Sequence, residues 1–136
     1  KLPPKGTVFI SVNDKDKRNV LSVAKRFANL GFSIVATRGT AKILQNSGIE
    51  AREVLKVNEG RPNVSDVITN KEIDIVINTP LGQGSRMDDK VIRQAALLHK
   101  VFCATTMSAA SALINSLESL QEKEVSVKAI QDYYVS

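Results

Sequence analysis

The sequence predicts an α/β protein with a three-layer α/β/α architecture and a five-stranded parallel sheet. Short apolar runs rich in Val and Ile recur along the chain, and longer segments with apolar residues at helical spacing separate them. Gly, Asn, Asp and Pro occupy most of the connections. Strands that alternate with helices form a parallel sheet covered on both faces, and 136 residues suffice for one such domain.

The first part of the chain predicts two strand–helix units and a third strand. The run that begins at Thr7 is β-rich and ends before Asn13, as expected of a buried strand. The helix that follows has Val20, Ala24 and Phe27 on one face. In order, we expect a strand at 7–12, a helix at 16–30 ended by Gly31, a strand at 32–36, a helix at 40–45 and a weaker strand at 50–55.

The second part predicts two more strands, each followed by a helix. The run Ile73–Ile77 is strongly β-forming, and Asp88 and Asp89 favour a helix N-terminus. In order, we expect a polar loop at 56–62, a short helix at 64–69, a strand at 73–77, a loop at 80–86, a helix to Lys100, a strand at 101–104 and a helix at 105–120. The stretch 124–136 is expected to add a short strand and a helical turn.

Composition and net charge limit the kinds of molecule that this chain is expected to bind. The net charge of +5 and the pI near 9.5 are consistent either with a solvated basic surface or with an anionic ligand. The basic residues are scattered, and the chain has four Phe, two Tyr and no Trp, so we expect no nucleic-acid partner. No apolar run reaches membrane-spanning length, no signal-peptide pattern is present, and Cys103 is the only cysteine. We therefore expect no membrane partner and a cytoplasmic location.

The stretch Ala36–Lys42 predicts an anion site. A strand is expected to end here, the backbone to turn at Gly39, and a helix to begin with Thr40 in its first turn. Unpaired backbone N–H groups and the helix dipole then face one point, which suits a phosphate. Thr37 adds a hydroxyl and Arg38 adds charge.

Ligands of an open parallel sheet bind beyond the carboxyl ends of its strands. Lys17 supports an anion there, because a cation at a helix N-terminus is otherwise unfavourable by about 0.3–1 kcal/mol. The residues expected at this edge carry mainly cations, hydroxyls and amides: Ser11, Asn13 to Lys17, Thr37 to Thr40, Lys56, Asn58, Arg61, Asn78, Thr79, the loop 82–86, Thr105 and Thr106.

The same edge holds few catalytic candidates. We expect Asp14 and Asp16 to cap a helix, and Glu59 to meet Arg61 or solvent. His99 lies late in an amphipathic helix, and Cys103 lies in an apolar run without a neighbouring histidine. No Cys or His cluster has metal-ligand spacing. The sequence therefore predicts no catalytic residue, no metal and no cofactor in this domain.

Several motifs, taken in order, resemble one family. They are Phe9–Val12 with Asp16–Lys17, Gly31–Phe32 with Ala36–Ala41, Lys56–Pro62, Ile77–Thr79 and Ile92–Ala96. The set is similar to the carboxy-terminal regulatory domain of the carbamoyl phosphate synthetase large subunit, which has the methylglyoxal-synthase-like fold. The resemblance covers roughly Gly6 to Leu120. It implies that residues 1–6 link a preceding synthetase domain to a regulatory domain at 7–136.

The resemblance also implies function. Members bind nucleoside monophosphate effectors such as UMP or IMP, and some respond to ornithine. The parent is a ligase that makes carbamoyl phosphate from glutamine or ammonia, bicarbonate and ATP, with a glutaminase small subunit as partner. By matching position, the implied phosphate contacts are Lys17, Thr37, Gly39 and Thr40; the implied nucleoside contacts are Lys56, Asn78 and Thr79; and the implied helpers are Arg38, Arg61, Ser85, Arg86 and Thr105.

Departures from the family pattern leave alternatives open. Pro80 stands where some members have a hydroxyl residue, and Cys103 and Ala104 replace polar or aromatic residues of ornithine-responsive members. Methylglyoxal synthase is a rival of the same fold, but it uses active-site histidines that this chain lacks at the sheet edge. A non-catalytic interaction module with a basic partner surface is the other alternative.

Overall fold

The computed structural model describes residues 6–56, 59–80 and 86–135, without the side chains of residues 86–88, 125–126 and 128–135. Ten regular elements and one 3₁₀ turn, Asp14–Asp16, follow one another in these ranges. The strands are β1 (Thr7–Ser11), β2 (Ser33–Thr37), β3 (Arg52–Val54), β4 (Ile75–Asn78) and β5 (Phe102–Ala104). The helices are α1 (Lys17–Asn29), α2 (Arg38–Asn46), α3 (Val64–Thr69), α4 (Arg86–Leu98) and α5 (Met107–Val135).

The strands form one parallel sheet in the order β3-β2-β1-β4-β5. In register, Ile10 of β1 lies between Ala36 of β2 and Ile77 of β4. The chain runs from β1 outward to β3 and then crosses to the other side of β1 for β4 and β5. The order therefore reverses between β1 and β4, which is where ligands bind in sheets of this kind.

Two apolar layers cover the sheet and confirm the predicted three-layer architecture. Alternate strand residues such as Ile10 and Ile77 pack against α1, α2 and α5. The intervening residues, such as Phe9 and Val76, pack against α3 and α4. This alternation follows from the period of two along a strand. It also fixes which face receives the side chains at the ends of the strands.

Helix α1 is anchored to the core and to α5. Phe27 is fully buried and meets Phe32 edge-to-face, with ring centroids 5.2 Å apart. At the rim, Arg26 pairs with Glu118 of α5 and also donates to Asn115. The apolar contacts supply most of the stability, because surface ion pairs typically contribute only about 0–1 kcal/mol.

Three sequence expectations were wrong. No turn intervenes at Gly39: Thr37 is extended, with φ −69° and ψ 161°, and α2 begins directly at Arg38. The final stretch forms no strand, because α5 continues as one helix to Val135. The helix preceding β5 also starts earlier than Asp88, at Arg86.

Candidate anion-binding site

The hydroxyl groups of Thr40 and Thr79, two residues expected at this edge, hold the loop after β1 from both sides. The N–H of Val12 donates to the Thr40 hydroxyl at 3.3 Å, and the N–H of Asn13 donates to the Thr79 hydroxyl at 2.9 Å. The two threonines are each 1% exposed. Each hydroxyl oxygen already accepts one bond, so its own proton remains available to a ligand oxygen.

A row of polar side chains crosses three neighbouring strands at the same edge. Ser11 is the register partner of Asn78, and the Thr37 hydroxyl donates to the Ser11 hydroxyl at 3.1 Å. All three residues are nearly fully buried. Each lies two residues after an apolar residue of its own strand, Phe9, Val35 or Val76, and therefore points to the same face, which α3 and α4 cover. We call Thr37, Ser11 and Asn78 the polar row.

Lys17 brings a positive charge against the start of α2. Its ammonium donates to the Val12 carbonyl at 3.0 Å and to Asp14 at 2.8 Å. A methyl group added at Gly39 would lie 3.5 Å from Lys17 Cε and 3.9 Å from Nζ. An ammonium has three N–H donors, so one of them remains for a ligand beside Gly39. The hydrogen bond from Lys17, reinforced by its charge, lowers the pKa of Asp14 below its ordinary value.

The first turn of α2 offers backbone donors to the same space. Thr37 is the N-cap residue, but its side chain makes no capping hydrogen bond. The N–H groups of this turn have no partner within the helix, and the helix dipole makes this end positive. Gly39 is exposed, so its amide is accessible. The arrangement therefore combines an ammonium, a helix N-terminus and buried hydroxyls, a set suited to a phosphate.

Asn78 adds one further polar group. Its Nδ2 donates to Asp89 of α4 at 3.3 Å, and its Oδ1 is buried without a hydrogen-bond partner in the described part of the chain. Lys17, Gly39, Thr40, Thr79 and the polar row are thus brought together around the end of β1.

The remaining predicted residues lie near this edge or pair elsewhere. Thr105 follows Ala104, the register partner of Ile77, and is therefore next to Asn78 along the edge. Lys56 lies just beyond β3 and is half-buried. Arg38 pairs with Glu53 at 3.1 Å, and Arg61 pairs with Asp66; both arginine side chains are mostly exposed. Their charges are therefore already matched within the domain.

Other predictions fall outside the described residues or need correction. Ser85 lies outside the described ranges, as do Gly82 and Gly84, and the side chain of Arg86 is not described. Asp16 is the N-cap residue of α1, as expected, but its side chain makes no capping hydrogen bond. Asn13 caps the preceding 3₁₀ turn by accepting from the Asp16 N–H at 2.9 Å, and Asp14 pairs with Lys17.

Three further titratable residues considered in the sequence are Cys103, His99 and Glu59. Cys103 is half-buried, and burial raises the pKa of its thiol while the charge of Arg93 partly opposes this. His99 lies just after α4. Glu59 is exposed to solvent, as expected, and its carboxylate also accepts the N–H of Lys56 at 2.8 Å.

The described residues contain neither a metal-ligand cluster nor a membrane-spanning helix. Within residues 6–56, 59–80 and 86–135, no three His, Cys, Asp or Glu side chains come together as a metal site would require. No helix in these ranges has the length and apolar character needed to cross a bilayer.

The sequence placed Ser11 at this edge but assigned no specific contact to it, and it gave no binding role to Asp89. The alternation along β1 could have shown which way Ser11 faces, because it shares a face with Phe9. Asp89 was noted only as a helix-start residue, and its contact with Asn78 depends on how α4 packs against β4.

Comparison with known proteins identifies the family of this chain. A family model described as the MGS-like domain matches residues 19–105. The chain belongs to the MGS-like domain family. This MGS-like domain is 47% identical over 130 residues to the carbamoyl phosphate synthase large chain of Acidobacterium capsulatum, with 96% of this chain and 12% of that protein covered. It is 46% identical over 139 residues to the C-terminal section of the large chain of Aquifex aeolicus, with 98% and 26% covered.

The MGS-like domain spans about an eighth of the length of the full-size relative from Acidobacterium capsulatum. Among solved structures it resembles methylglyoxal synthase from Elizabethkingia anophelis, with a TM-score of 0.67, 19% identity and coverage of 83% of this chain and 79% of that one. It also resembles ForH, with a TM-score of 0.62, 18% identity and coverage of 84% and 80%. At these identities the likeness shows the fold alone.

Proposed function

We propose that this MGS-like domain is the regulatory domain of a carbamoyl phosphate synthase large chain and binds a nucleoside monophosphate, UMP or IMP, at the carboxyl edge of its sheet. The single observation that supports this most is the position of the Lys17 ammonium beside Gly39, at the uncapped start of α2. The similarity to large chains over nearly the whole domain supports the parent enzyme.

The phosphate is bound by groups that converge on one point. Lys17 supplies a charge and one N–H donor, the amides of Gly39 and Thr40 supply two more donors, and the Thr40 hydroxyl supplies a fourth. Thr37 contributes through its extended backbone, which directs the chain into α2. Arg38 is too engaged with Glu53 to be a principal contact.

The nucleoside extends from this point along the polar row. Asn78 ends β4 and Thr79 follows it, with β1 between β4 and β2, and Lys56 lies beyond β3 on the opposite side. Thr105 would contact either the nucleoside or a second effector such as ornithine, since it is adjacent to Asn78 along the edge. Ser85, Arg86 and Arg61 are auxiliary contacts in this proposal.

The domain acts by allostery and performs no chemistry of its own. A nucleotide that binds one arrangement of the domain and the synthetase body better than another shifts the equilibrium between them. Couplings of this kind are typically about 1–3 kcal/mol and are reciprocal. The partners are accordingly the rest of the large chain and its glutaminase small subunit, in the cytoplasm.

Calorimetric titration with UMP and IMP tests the binding site. Lys17→Ala removes a charged donor, which is worth about 1.5–3 kcal/mol, so affinity falls about tenfold to a hundredfold. Lys42→Ala is the matched control, because Lys42 lies exposed on α2 and the change removes the same charge. Equal affinities for the wild type and Lys17→Ala would refute the proposed site.

Two further measurements separate the rival functions. Incubation with dihydroxyacetone phosphate should give no methylglyoxal above background, and turnover would favour a lyase. If neither nucleotide binds and no turnover occurs, the interaction module is the better account. In the full-length large chain, UMP affinity that is the same in every substrate state would refute the allosteric mechanism.

A further inference from the structure

The amide of Asn78 presents an unusual combination of burial and incomplete pairing. The residue is 1% exposed, its Nδ2 donates to Asp89, and its Oδ1 has no partner among the described residues. A buried acceptor without a partner typically costs about 1–3 kcal/mol. Native proteins leave few such groups, so this one requires an explanation.

Asp89 determines which way the amide faces. Its side chain is 4% exposed and lies near the N-terminus of α4, where the helix dipole stabilises a negative charge. A carboxylate accepts hydrogen bonds and cannot donate them, whereas the amide NH₂ only donates. The NH₂ group must therefore face Asp89, and the carbonyl oxygen is directed elsewhere.

The position of Asn78 indicates where that oxygen is useful. Asn78 ends β4 and is the register partner of Ser11 in β1, and the strand on the other side of β1 leads into the helix start that faces Lys17. It also lies at the reversal of strand order between β1 and β4. A ligand whose phosphate occupies the start of α2 would bring its sugar or base toward this row.

We infer that Asp89 is a positioning residue that fixes the Asn78 carbonyl as a hydrogen-bond acceptor, so that the site selects ligands with an N–H or O–H donor at this point. The inference rests on the proposed function. Two parts of a nucleotide can supply the donor: the ring N–H of a lactam base such as uracil or hypoxanthine, or a ribose hydroxyl. Cytosine and adenine present a lone pair on the corresponding ring nitrogen and would leave the carbonyl unpaired.

The selectivity should be substantial, because a ligand without a donor leaves the buried Asn78 carbonyl unpaired and therefore binds more weakly. We expect the wild type to bind UMP at least tenfold more tightly than CMP if the base supplies the donor. If the ribose supplies it, UMP should bind at least tenfold more tightly than 2′-deoxy-UMP, with little difference between UMP and CMP.

Asp89→Asn tests the positioning role. An amide at residue 89 can donate as well as accept, so the Asn78 amide is no longer held in one orientation, and the preference should fall below threefold. Asp74→Asn is the matched control: it removes the same charge just before β4, at the opposite end of the strand, where Asp74 accepts from the Thr7 N–H. The control should keep the wild-type preference. The readout is a ratio of dissociation constants, which a loss of stability alone does not change.

The outcomes separate this inference from the proposed function. If UMP binds but Asp89→Asn keeps the wild-type preference, or if the wild type shows neither preference, the positioning role is refuted and the binding site stands. If UMP does not bind the wild type, the proposed function fails first. Should Asp89→Asn not fold, the wild type provides the test: a nuclear Overhauser effect between the Asn78 Nδ2 protons and bound UMP would overturn the inference, and a shift of the Asn78 carbonyl carbon without it would support it.

Discussion

Gly39→Ala separates binding from folding at the proposed phosphate site. The added methyl would lie 3.5 Å from Lys17 Cε and 3.9 Å from Nζ, which are ordinary van der Waals distances. Gly39 lies in the first turn of α2 and is not among the glycines with positive φ. The fold should therefore accept alanine, with a gain of up to about 1 kcal/mol from reduced backbone freedom.

Binding should respond in the opposite direction. The methyl occupies the space between the ammonium and the first-turn N–H groups, where an anion has to sit. We expect affinity for UMP and for inorganic phosphate to fall at least tenfold, equivalent to about 1.4 kcal/mol or more. Calorimetric titration measures the affinity, and thermal unfolding should show a midpoint unchanged or raised by up to about 4 °C.

Gly48→Ala is the control at the other end of the same helix. Gly48 has φ +81° and no atom within 4 Å of the added methyl, so the change strains the backbone without affecting the site. It should cost about 1–2 kcal/mol of stability and leave affinity unchanged. Wild-type affinity in Gly39→Ala would refute the view that the anion sits on this turn, and a large loss of stability would refute the packing argument.

Three further perturbations follow from the contacts described. Asp14→Asn removes a carboxylate that competes for Lys17, so phosphate affinity measured by calorimetry should rise; weaker binding would contradict this. Phe27→Ala should lower the free energy of unfolding by about 3–5 kcal/mol in urea titrations, since Phe27 is fully buried, and a loss under 1 kcal/mol would be inconsistent with that packing. Hydrogen bonds from arginines lower the pKa of Asp66 and Glu118 below their ordinary values of 3.8 and 4.5. These two carboxylates are harder to protonate in the folded protein than in the unfolded chain. The free energy of unfolding should therefore be level from pH 7 to 5 and decrease as the pH drops below about 4.5, and Glu118→Gln should make that decrease smaller.

The strands were predictable from the sequence because a buried parallel strand leaves a continuous apolar signal. Ile73–Ile77 was expected, and β4 occupies Ile75–Asn78. The helix start at Arg38 does not follow from the sequence, because a glycine after a strand typically marks a turn, whereas here Thr37 alone makes the change from extended to helical backbone. The end of α5 was missed because Val125 and Val127 favour a strand; no Gly or Pro interrupts residues 107–135, and the surrounding helix formers prevail.

The site was predictable in location but not in detail. Parallel topology brings the carboxyl ends of the strands to one edge, so Lys17, Thr40 and Asn78 could be expected together. The sequence does not reveal that the Thr40 hydroxyl already accepts the Val12 N–H. Nor does it reveal that Asn78 meets Asp89, since that contact depends on the packing of α4 on the sheet.

A titration followed by amide NMR tests the central claim most directly. With ¹⁵N-labelled protein, inorganic phosphate and then UMP should cause their largest shifts at the amides of Gly39 and Thr40, and UMP should also shift Asn78. A different pattern, with the largest shifts at the surface groove lined by Arg61, Asp66 and Asn70 or no change at Gly39 at saturating UMP, would contradict the account.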